Sequence, residues 1–263
     1  MPALHVGRSG DGPPVVLVHG FTQTSASWRP VANSLETTNT VLTPDLPGHG
    51  ESPAADGDLD TAAAQVGEAC GAGAYIGYSL GGRVCLHLAL DRPELVERLV
   101  LVSTTAGIED TEERAERIAS DEALAERIER EGDEGIPAFI DEWLAGPLFR
   151  DLGEDSADRE SRLVNTAAGL AGSLRHHGTG AQLPLWERLS EIEVPVLVVA
   201  GADDEKFVES GERLASAIGP AALFLLVPGA GHAVPFEQPE AFSRLVGDFV
   251  AGRAGPERST EPG

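Results

Sequence analysis

The string Gly77-Tyr78-Ser79-Leu80-Gly81 sets a serine between glycines where an apolar run ends and a helical pattern begins. In a chain with 31 glycines this string is weak evidence by itself. Its context strengthens it, because a strand ending at Tyr78 and a helix starting at Leu80 require a sharp turn. Such a turn exposes the serine hydroxyl at the positive end of the helix. The sequence therefore predicts Ser79 as a catalytic residue.

A serine hydroxyl reacts at neutral pH only if another group takes its proton, and His232 is the predicted proton acceptor. His232 follows the glycine-rich string Pro228-Gly229-Ala230-Gly231, directly after the last predicted strand. A loop at the carboxyl edge of a parallel sheet is a position from which a base can reach the serine. His19 and His49 lie in glycine-rich loops that suit structural hydrogen bonds, and substrate contact by His176 or His177 stays an open alternative.

The imidazole in turn needs a carboxylate that fixes its tautomer and stabilises its positive charge. A predicted strand leads into Gly201-Ala202-Asp203-Asp204-Glu205, which offers three adjacent acids. Chemistry alone leaves the choice open. The spacing of a glycine followed three positions later by aspartate favours Asp204, and Asp203 is its main competitor.

Charge that develops on a substrate oxygen needs two backbone N–H donors. The amide of Leu80 follows the serine at the start of a helix, so it is one predicted donor. The second is expected from His19-Gly20-Phe21-Thr22, where Gly20 lets the chain turn inward and Phe21 can donate. The alternative is that this string forms an ordinary tight turn.

The elements that must position these residues are short apolar runs alternating with helix-like segments. This alternation predicts an α/β fold with a mostly parallel central sheet and helices on both faces. The helical patterns next to the candidate site cover Leu80–Leu90 and Pro239–Val250. The predicted strands are Val15–Val18, Thr40–Thr43, Gly73–Tyr78, Leu99–Val102, Val194–Ala200 and Leu223–Val227.

One long segment breaks the alternation. Residues 107–186 contain helical patterns and no convincing strand, which predicts a helical lid inserted into a core formed by residues 1–106 and 187–251. The alternative is that the insertion only enlarges the fold. The segment 252–263 is rich in glycine, proline and charge, and we expect it to be disordered.

The charge balance excludes some partners. The chain carries 43 acidic and 19 basic residues, for a formal net charge of −24, and Lys206 is its only lysine. Such a surface repels polyanions, so neither nucleic acid nor an anionic membrane is an expected partner.

The first residues lack the basic start and apolar run of a signal peptide, and no apolar stretch approaches the roughly 18 residues of a membrane span. A soluble cytoplasmic protein is therefore expected. Cys70 and Cys85 lack metal-ligand spacing and are predicted to be small buried core residues. No metal or organic cofactor is expected, and the oligomeric state stays open.

Several strings together resemble the α/β-hydrolase superfamily over about residues 4–251. The resemblance includes the serine turn and the chain order Ser, Asp, His. Within this superfamily, further strings resemble the 2-succinyl-6-hydroxy-2,4-cyclohexadiene-1-carboxylate (SHCHC) synthases of menaquinone biosynthesis. The strings that carry the two resemblances are His19-Gly20-Phe21, Asp45-Leu46-Pro47-Gly48-His49-Gly50-Glu51-Ser52, Gly81-Gly82-Arg83, Asp141-Glu142-Trp143-Leu144, Pro147-Leu148-Phe149, Gly169-Leu170-Ala171-Gly172-Ser173-Leu174-Arg175, Gly178-Thr179-Gly180-Ala181-Gln182 and Lys206-Phe207.

The resemblance implies a lyase. In that family the triad abstracts a proton and so drives the loss of pyruvate from a small substrate with several carboxylates. A serine hydroxyl that has passed its proton to a histidine can act as a base as well as a nucleophile. The alternative is a serine hydrolase of esters or carbon–carbon bonds on the same fold, with the same triad.

The implied substrate calls for a local positive patch in this acidic protein. Arg83 lies one helical turn after Ser79, and its planar guanidinium can bind a carboxylate through two hydrogen bonds. By resemblance, the substrate-binding residues also include Arg117, Arg162, Trp143 and Tyr78. The alternative for Arg117 is an ion pair with a neighbouring acid of its own helix, Glu113 or Asp121.

Overall fold

The computed structural model describes residues 3–150, 152–153 and 158–253, and a seven-stranded sheet forms its centre. The predicted α/β architecture is confirmed. The strands are β1 (Val6–Ser9), β2 (Pro14–Val18), β3 (Thr40–Pro44), β4 (Gly73–Tyr78), β5 (Val96–Val102), β6 (Val196–Gly201) and β7 (Ala222–Val227).

The strands lie in the order β1-β3-β2-β4-β5-β6-β7, and every neighbouring pair from β3 to β7 is parallel. Only β1 runs antiparallel, against β3 at the edge of the sheet. Strand β1 was not predicted, because Val6–Ser9 is a half-exposed edge strand without the continuous apolar run of the central strands. Because the other strands are parallel, the loops after β2, β4, β6 and β7 meet at one edge of the sheet.

Alternate residues of β2 show that both faces of the sheet are buried. Val16 and Val18 belong to the apolar core on one face, whereas Val15 and Leu17 belong to the core on the other. All four side chains are fully buried. Burial on both faces explains why this strand is a continuous apolar run.

Helices cover both faces. Residues of α2, α3 and α8 lie in one core, and residues of α1 and α10 lie in the other. The helices outside the insertion are α1 (Arg29–Leu35), α2 (Leu59–Cys70), α3 (Leu80–Asp91), α8 (Glu205–Ile218), α9 (Val234–Glu237) and α10 (Pro239–Val250). Short 3₁₀ helices cover Ser25–Trp28, Pro93–Leu95 and Trp186–Glu191.

Between β5 and β6, the described residues form helices and no strand. These are α4 (Thr111–Glu131), α5 (Ile136–Leu144), α6 (Arg159–Arg162) and α7 (Ala167–His177), with 3₁₀ turns at Asp133–Gly135 and Pro147–Phe149. The helices have a small core of their own, in which Ile128, Ile140 and Leu170 are buried. That this insertion, residues 107–186, acts as a lid stays a prediction.

Several smaller predictions differ from the structure. Strand β5 begins three residues before the predicted Leu99, and β6 begins at Val196, after Pro195, rather than at Val194. Cys85 is buried as predicted, but Cys70, the last residue of α2, is only partly buried. The predicted disordered segment 252–263 lies outside the described residues apart from Gly252 and Arg253.

None of the helices in the described ranges has the length and apolar character that crossing a membrane requires.

Candidate active site

Ser79 lies at the turn between β4 and α3 in a backbone conformation that L-residues rarely adopt, with φ 52° and ψ −110°. Two hydrogen bonds hold this turn. The Ser79 N–H donates to the Val102 carbonyl at 2.9 Å, and the Thr104 hydroxyl donates to the Ser79 carbonyl at 2.8 Å. Such strain persists only where the surroundings over-determine the conformation, and it is common at functional sites.

The glycines on either side of Ser79 leave no room for side chains. A Cβ on Gly77 would lie 2.4 Å from the Gly81 carbonyl oxygen, and one on Gly81 would lie 2.1 Å from the Val18 carbonyl oxygen. A Cβ on Gly82 would similarly meet Thr104 at 2.6 Å. The glycine spacing in the sequence therefore reflects the close approach of helix α3 to strands β2 and β4.

His232 follows β7, and its Nδ1 lies 3.1 Å from Oδ2 of Asp204. The other carboxylate oxygen of Asp204 accepts from the Phe207 N–H at 3.3 Å, because Asp204 is the N-cap of α8. Asp203 is exposed, and its N–H donates to the Ala230 carbonyl at 3.0 Å. The structure thus brings Asp204, and not Asp203, to the imidazole.

Glu237, which was not predicted from the sequence, holds the loop that carries His232. Its two carboxylate oxygens accept from the N–H groups of Gly231 and Ala233, at 2.5 and 2.8 Å, on either side of the histidine. The imidazole is buried, and the ring of Phe207 lies 4.4 Å from it, centroid to centroid. These contacts restrict the orientation of His232.

The loop after β2 carries Phe21, whose side chain packs edge-on against Trp143 with ring centroids 5.2 Å apart. His49 accepts from the Thr22 N–H at 3.3 Å, and Gln23 accepts from the Gly20 N–H at 2.9 Å. Within the described part of the chain, the amides of Phe21 and Leu80 have no backbone acceptor. Both amides are therefore available to a bound oxygen.

His19 and His49 make the structural hydrogen bonds predicted for them. His19 Nε2 accepts from the Leu46 N–H at 2.9 Å, and both rings are fully buried. Burial lowers the pKa of His19 to about 4 and the pKa of His49 well below its usual value. Both rings are therefore neutral at physiological pH and hold the loops around Phe21 in place.

A cavity of about 1330 Å³ lies between the sheet edge and the helical insertion. It brings together most of the predicted site residues, since its lining includes Ser79, His232, Phe21, Leu80, Arg83, Arg117 and Trp143. The residues contribute from both sides: Arg83 comes from α3 in the core, whereas Arg117 and Trp143 come from α4 and α5 of the insertion.

Two predicted substrate-binding residues, Tyr78 and Arg162, are not among the residues that line this cavity. Tyr78 is buried below it, with its ring 5.5 Å from that of His232, and it limits the space beside Gly20. Arg162 is buried, donates to the Thr22 hydroxyl, and has its guanidinium 5.9 Å from the ring centroid of Phe149. In this structure both residues support the cavity wall, and their contact with substrate stays a prediction.

The cationic residues of the cavity fall into two groups. Arg117 pairs with Asp121 at 2.8 Å, which is the ion pair considered as an alternative, and Arg213 pairs with Glu109. In contrast, neither Arg83 nor Lys206 has an ion pair among the described residues. Only 7% of the surface of Arg83 is exposed. This burial lowers the pKa of its guanidinium to about 9.

Arg83 is still a cation at neutral pH, and its one side-chain hydrogen bond in the described chain is to the Gln182 oxygen at 3.4 Å. A buried charge without a counter-ion is costly. The cavity beside Arg83 is thus suited to an anionic group.

Among the described residues, Asp60, His87 and Asp91 form the one group with the ligand types and spacing for a metal ion. Their potential ligand atoms lie within 4.8 Å of one another, but none of the three lines the cavity. His87 already pairs with Asp60 at 2.5 Å, and Asp91 pairs with Arg188 at 3.1 Å. These pairings account for the group without a metal.

Known proteins similar to this chain share its fold. A model of the alpha/beta hydrolase family matches residues 15–245. A Bacillus subtilis protein provisionally named SHCHC synthase is 39% identical over 250 residues, which cover 90% of this chain and 89% of that protein. The SHCHC synthase of Serratia proteamaculans is 30% identical over 249 residues, which cover 91% of this chain and 94% of that protein. The solved structure of MenH from S. aureus matches with a TM-score of 0.87 at 29% identity, and the match covers 95% of this chain and 98% of that one.

The close packing at the serine turn gives a stability prediction. We expect Gly81→Ala to lower the free energy of unfolding by about 3 kcal/mol, because its Cβ would meet backbone rather than a side chain that can move. Urea unfolding measures the change. The matched control is Gly247→Ala in α10, where a Cβ would make an ordinary 3.6 Å contact with Leu35. Equal losses in the two variants would contradict the packing argument.

Proposed function

The chain belongs to the α/β-hydrolase family, and we propose that it is a lyase of the SHCHC synthase type. The proposed reaction removes pyruvate from 2-succinyl-5-enolpyruvyl-6-hydroxy-3-cyclohexene-1-carboxylate, called the precursor below, and forms 2-succinyl-6-hydroxy-2,4-cyclohexadiene-1-carboxylate. The observation that carries the proposal is Arg83, a buried cation without an ion pair in the described chain, in the same cavity as Ser79 and His232.

The two chemical names define the bond changes. The ring C2–H bond breaks, and its electrons are held as the enolate of the succinyl ketone. When the enolate collapses, the C2–C3 double bond forms, the C3–C4 double bond moves to C4–C5 and the C5–O bond breaks in the same step. Enolpyruvate leaves and takes up a proton to become pyruvate. The proton at C2 is the acidic one because C2 is next to the succinyl ketone, whose oxygen carries the charge of the enolate.

Ser79 is the proposed base at C2. It passes its own proton to His232, and the 3.1 Å contact between His232 Nδ1 and Asp204 supports the positive imidazolium. The Glu237 contacts to the two flanking amides keep the imidazole loop in one conformation. Proton transfer through a group held in this way needs little reorganisation.

The enolate oxygen needs donors, and the proposed ones are the amides of Phe21 and Leu80. Both residues line the cavity next to Ser79, and neither amide has a backbone acceptor among the described residues. Leu80 is the first residue of α3, so the positive end of that helix also favours an oxyanion there.

The precursor carries three carboxylates, and the cavity offers cations to meet them. Arg83 is the proposed partner of the ring carboxylate because it is buried and not engaged in an ion pair. Arg117, whose side chain is 40% exposed, and Lys206 are proposed partners for the other two. Desolvated charge-assisted hydrogen bonds of this kind are stronger than neutral ones.

We also propose that the insertion, residues 107–186, is the lid of this site. Its support is the position of Arg117 and Trp143, which line the cavity from α4 and α5. A lid that brings its own arginine to the substrate excludes water only when the substrate is bound.

The first functional prediction is a direct assay. The purified protein should release pyruvate from the precursor, measured by coupled oxidation of NADH, much faster than it cleaves p-nitrophenyl esters. Ser79→Ala should lower precursor turnover by more than about 10³-fold while the circular dichroism spectrum stays unchanged. Good ester turnover without precursor turnover would instead identify a serine hydrolase.

The second prediction separates the two neighbouring aspartates. We expect Asp204→Asn to lower kcat by about 10³- to 10⁴-fold, because the amide can no longer fix the tautomer of His232 or stabilise its charge. Asp203→Asn is the matched control and should stay within about twofold, since Asp203 is exposed. Similar losses in both variants would argue against Asp204 as the triad acid.

The third prediction concerns Arg83. Arg83→Ala should lower kcat/KM for the precursor by about 10- to 100-fold, because a charge-assisted hydrogen bond to a carboxylate is lost. Any hydrolysis of a neutral ester should change far less. Arg92→Ala is the control, since Arg92 is exposed, pairs with Glu94 and lies outside the cavity. Equal losses on the charged and the neutral substrate would rule out a carboxylate-binding role.

A further inference from the structure

The wall of the cavity formed by the insertion contains buried polar atoms without hydrogen-bond partners. On residues that line the cavity and are more than nine-tenths buried, these atoms are Oδ2 of Asp121, Oγ of Ser173 and Nδ1 of His177, and none has a partner in the described part of the chain. Nε1 of Trp143, on a less buried ring of the same lining, also has none. A buried polar atom without a partner is costly, so a group of them in a substrate cavity points to a ligand that completes them.

The hydrogen bond at the other side of the His177 ring defines which proton the ring carries. Nε2 lies 2.9 Å from the Gly57 carbonyl oxygen, which can only accept, so Nε2 carries the proton. Burial lowers the pKa of His177 to about 4. The ring is therefore neutral at physiological pH, and its Nδ1 is an acceptor.

Ser173 lies one helical turn before His177 on α7, so both side chains face the same way. Asp121, on α4, adds a second acceptor, and the serine hydroxyl has only one proton to donate. The unpartnered atoms around His177 are thus mostly acceptors, while Arg117 and Arg83 supply the positive charge next to Asp121. The unpartnered acceptors suit a group that donates a hydrogen bond.

Arg83 and His177 line the same cavity, and Arg83 is close enough to lower the pKa of the histidine. On the precursor, the carboxylate at C1 and the hydroxyl at C6 are attached to neighbouring ring carbons. A carboxylate held by Arg83 would bring the adjacent hydroxyl towards His177.

We propose that His177 and Ser173 form a subsite that accepts a hydrogen bond from the ring hydroxyl of the substrate. This inference rests on the proposed function for the identity of the ring. It makes His177 a specificity-determining residue, which distinguishes a hydroxylated ring from the same ring without its hydroxyl.

Binding measured without turnover provides the test. In the inactive Ser79→Ala background, isothermal titration calorimetry compares the precursor with its 6-deoxy counterpart. We expect the hydroxylated ligand to bind about 10- to 100-fold more tightly, because the deoxy ligand leaves a buried acceptor unpaired.

Two substitutions separate the subsite from a structural role. Adding His177→Gln keeps a donor for the Gly57 carbonyl but removes the acceptor at Nδ1. The affinities for the hydroxylated and the 6-deoxy ligand should then differ by no more than about threefold. Adding His177→Asn keeps an acceptor near Nδ1 and loses the contact with Gly57, so much of the preference should remain. Ser173→Ala removes only one hydroxyl from the same wall, so the fold should tolerate it. It should weaken the preference for the hydroxylated ligand over the 6-deoxy ligand.

The outcomes distinguish the two proposals. Equal binding of the two ligands to Ser79→Ala overturns the subsite alone, and so does an Asn variant that loses more preference than the Gln variant. Failure of both ligands to bind overturns the subsite together with the proposed function. Preference for the hydroxylated ligand without pyruvate release by the intact protein supports the subsite and overturns the lyase.

Discussion

The turn after β4 is the constraint on which the site depends. Ser79 keeps a left-handed φ only because backbone from β2 and β4 lies against α3, so closely that Cβ atoms at Gly77 or Gly81 would overlap carbonyl oxygens. The hydroxyl is thereby lifted above the sheet edge. The loops after β2, β6 and β7 reach the same edge because these strands are parallel to β4. The histidine, its carboxylate and the oxyanion amides are positioned relative to that one turn.

Electrostatics sets a second requirement. The protein has a formal net charge of −24, yet the proposed substrate is itself a polyanion. A cavity on such a protein can bind carboxylates only if some of its cationic side chains do not form ion pairs with the protein's own acidic residues. Arg83 meets this requirement by burial in the first turns of α3, whereas Arg117 and Arg213 at the more exposed positions have paired with Asp121 and Glu109. Among the three arginines of the cavity in the described chain, the buried one is thus the one without an acidic partner.

The local pattern of apolar residues, glycines and prolines in the sequence predicts much of the fold, including the serine turn. Strand β4 and helix α10 begin and end at the predicted residues, because their apolar pattern and the flanking glycine or proline are strong local signals. Strand β1 was missed because an edge strand buries too little to need an apolar run. Glu237 was missed because nothing in its neighbourhood indicates that its carboxylate turns back to two amides of the preceding loop.

The sequence by itself determined the chemistry that is available: a serine at a glycine turn, a histidine after the last strand, an acid at the start of α8 and an α/β core. These depend on residue type and on spacing along a few neighbouring positions. Only the tertiary structure brought Asp204 rather than Asp203 to His232, put Arg83 but not Arg162 in the lining of the cavity, and left Nδ1 of the lining residue His177 buried without a partner in the described chain. Each of these depends on atoms from segments distant along the chain, and packing in three dimensions is what brings such atoms within hydrogen-bonding distance.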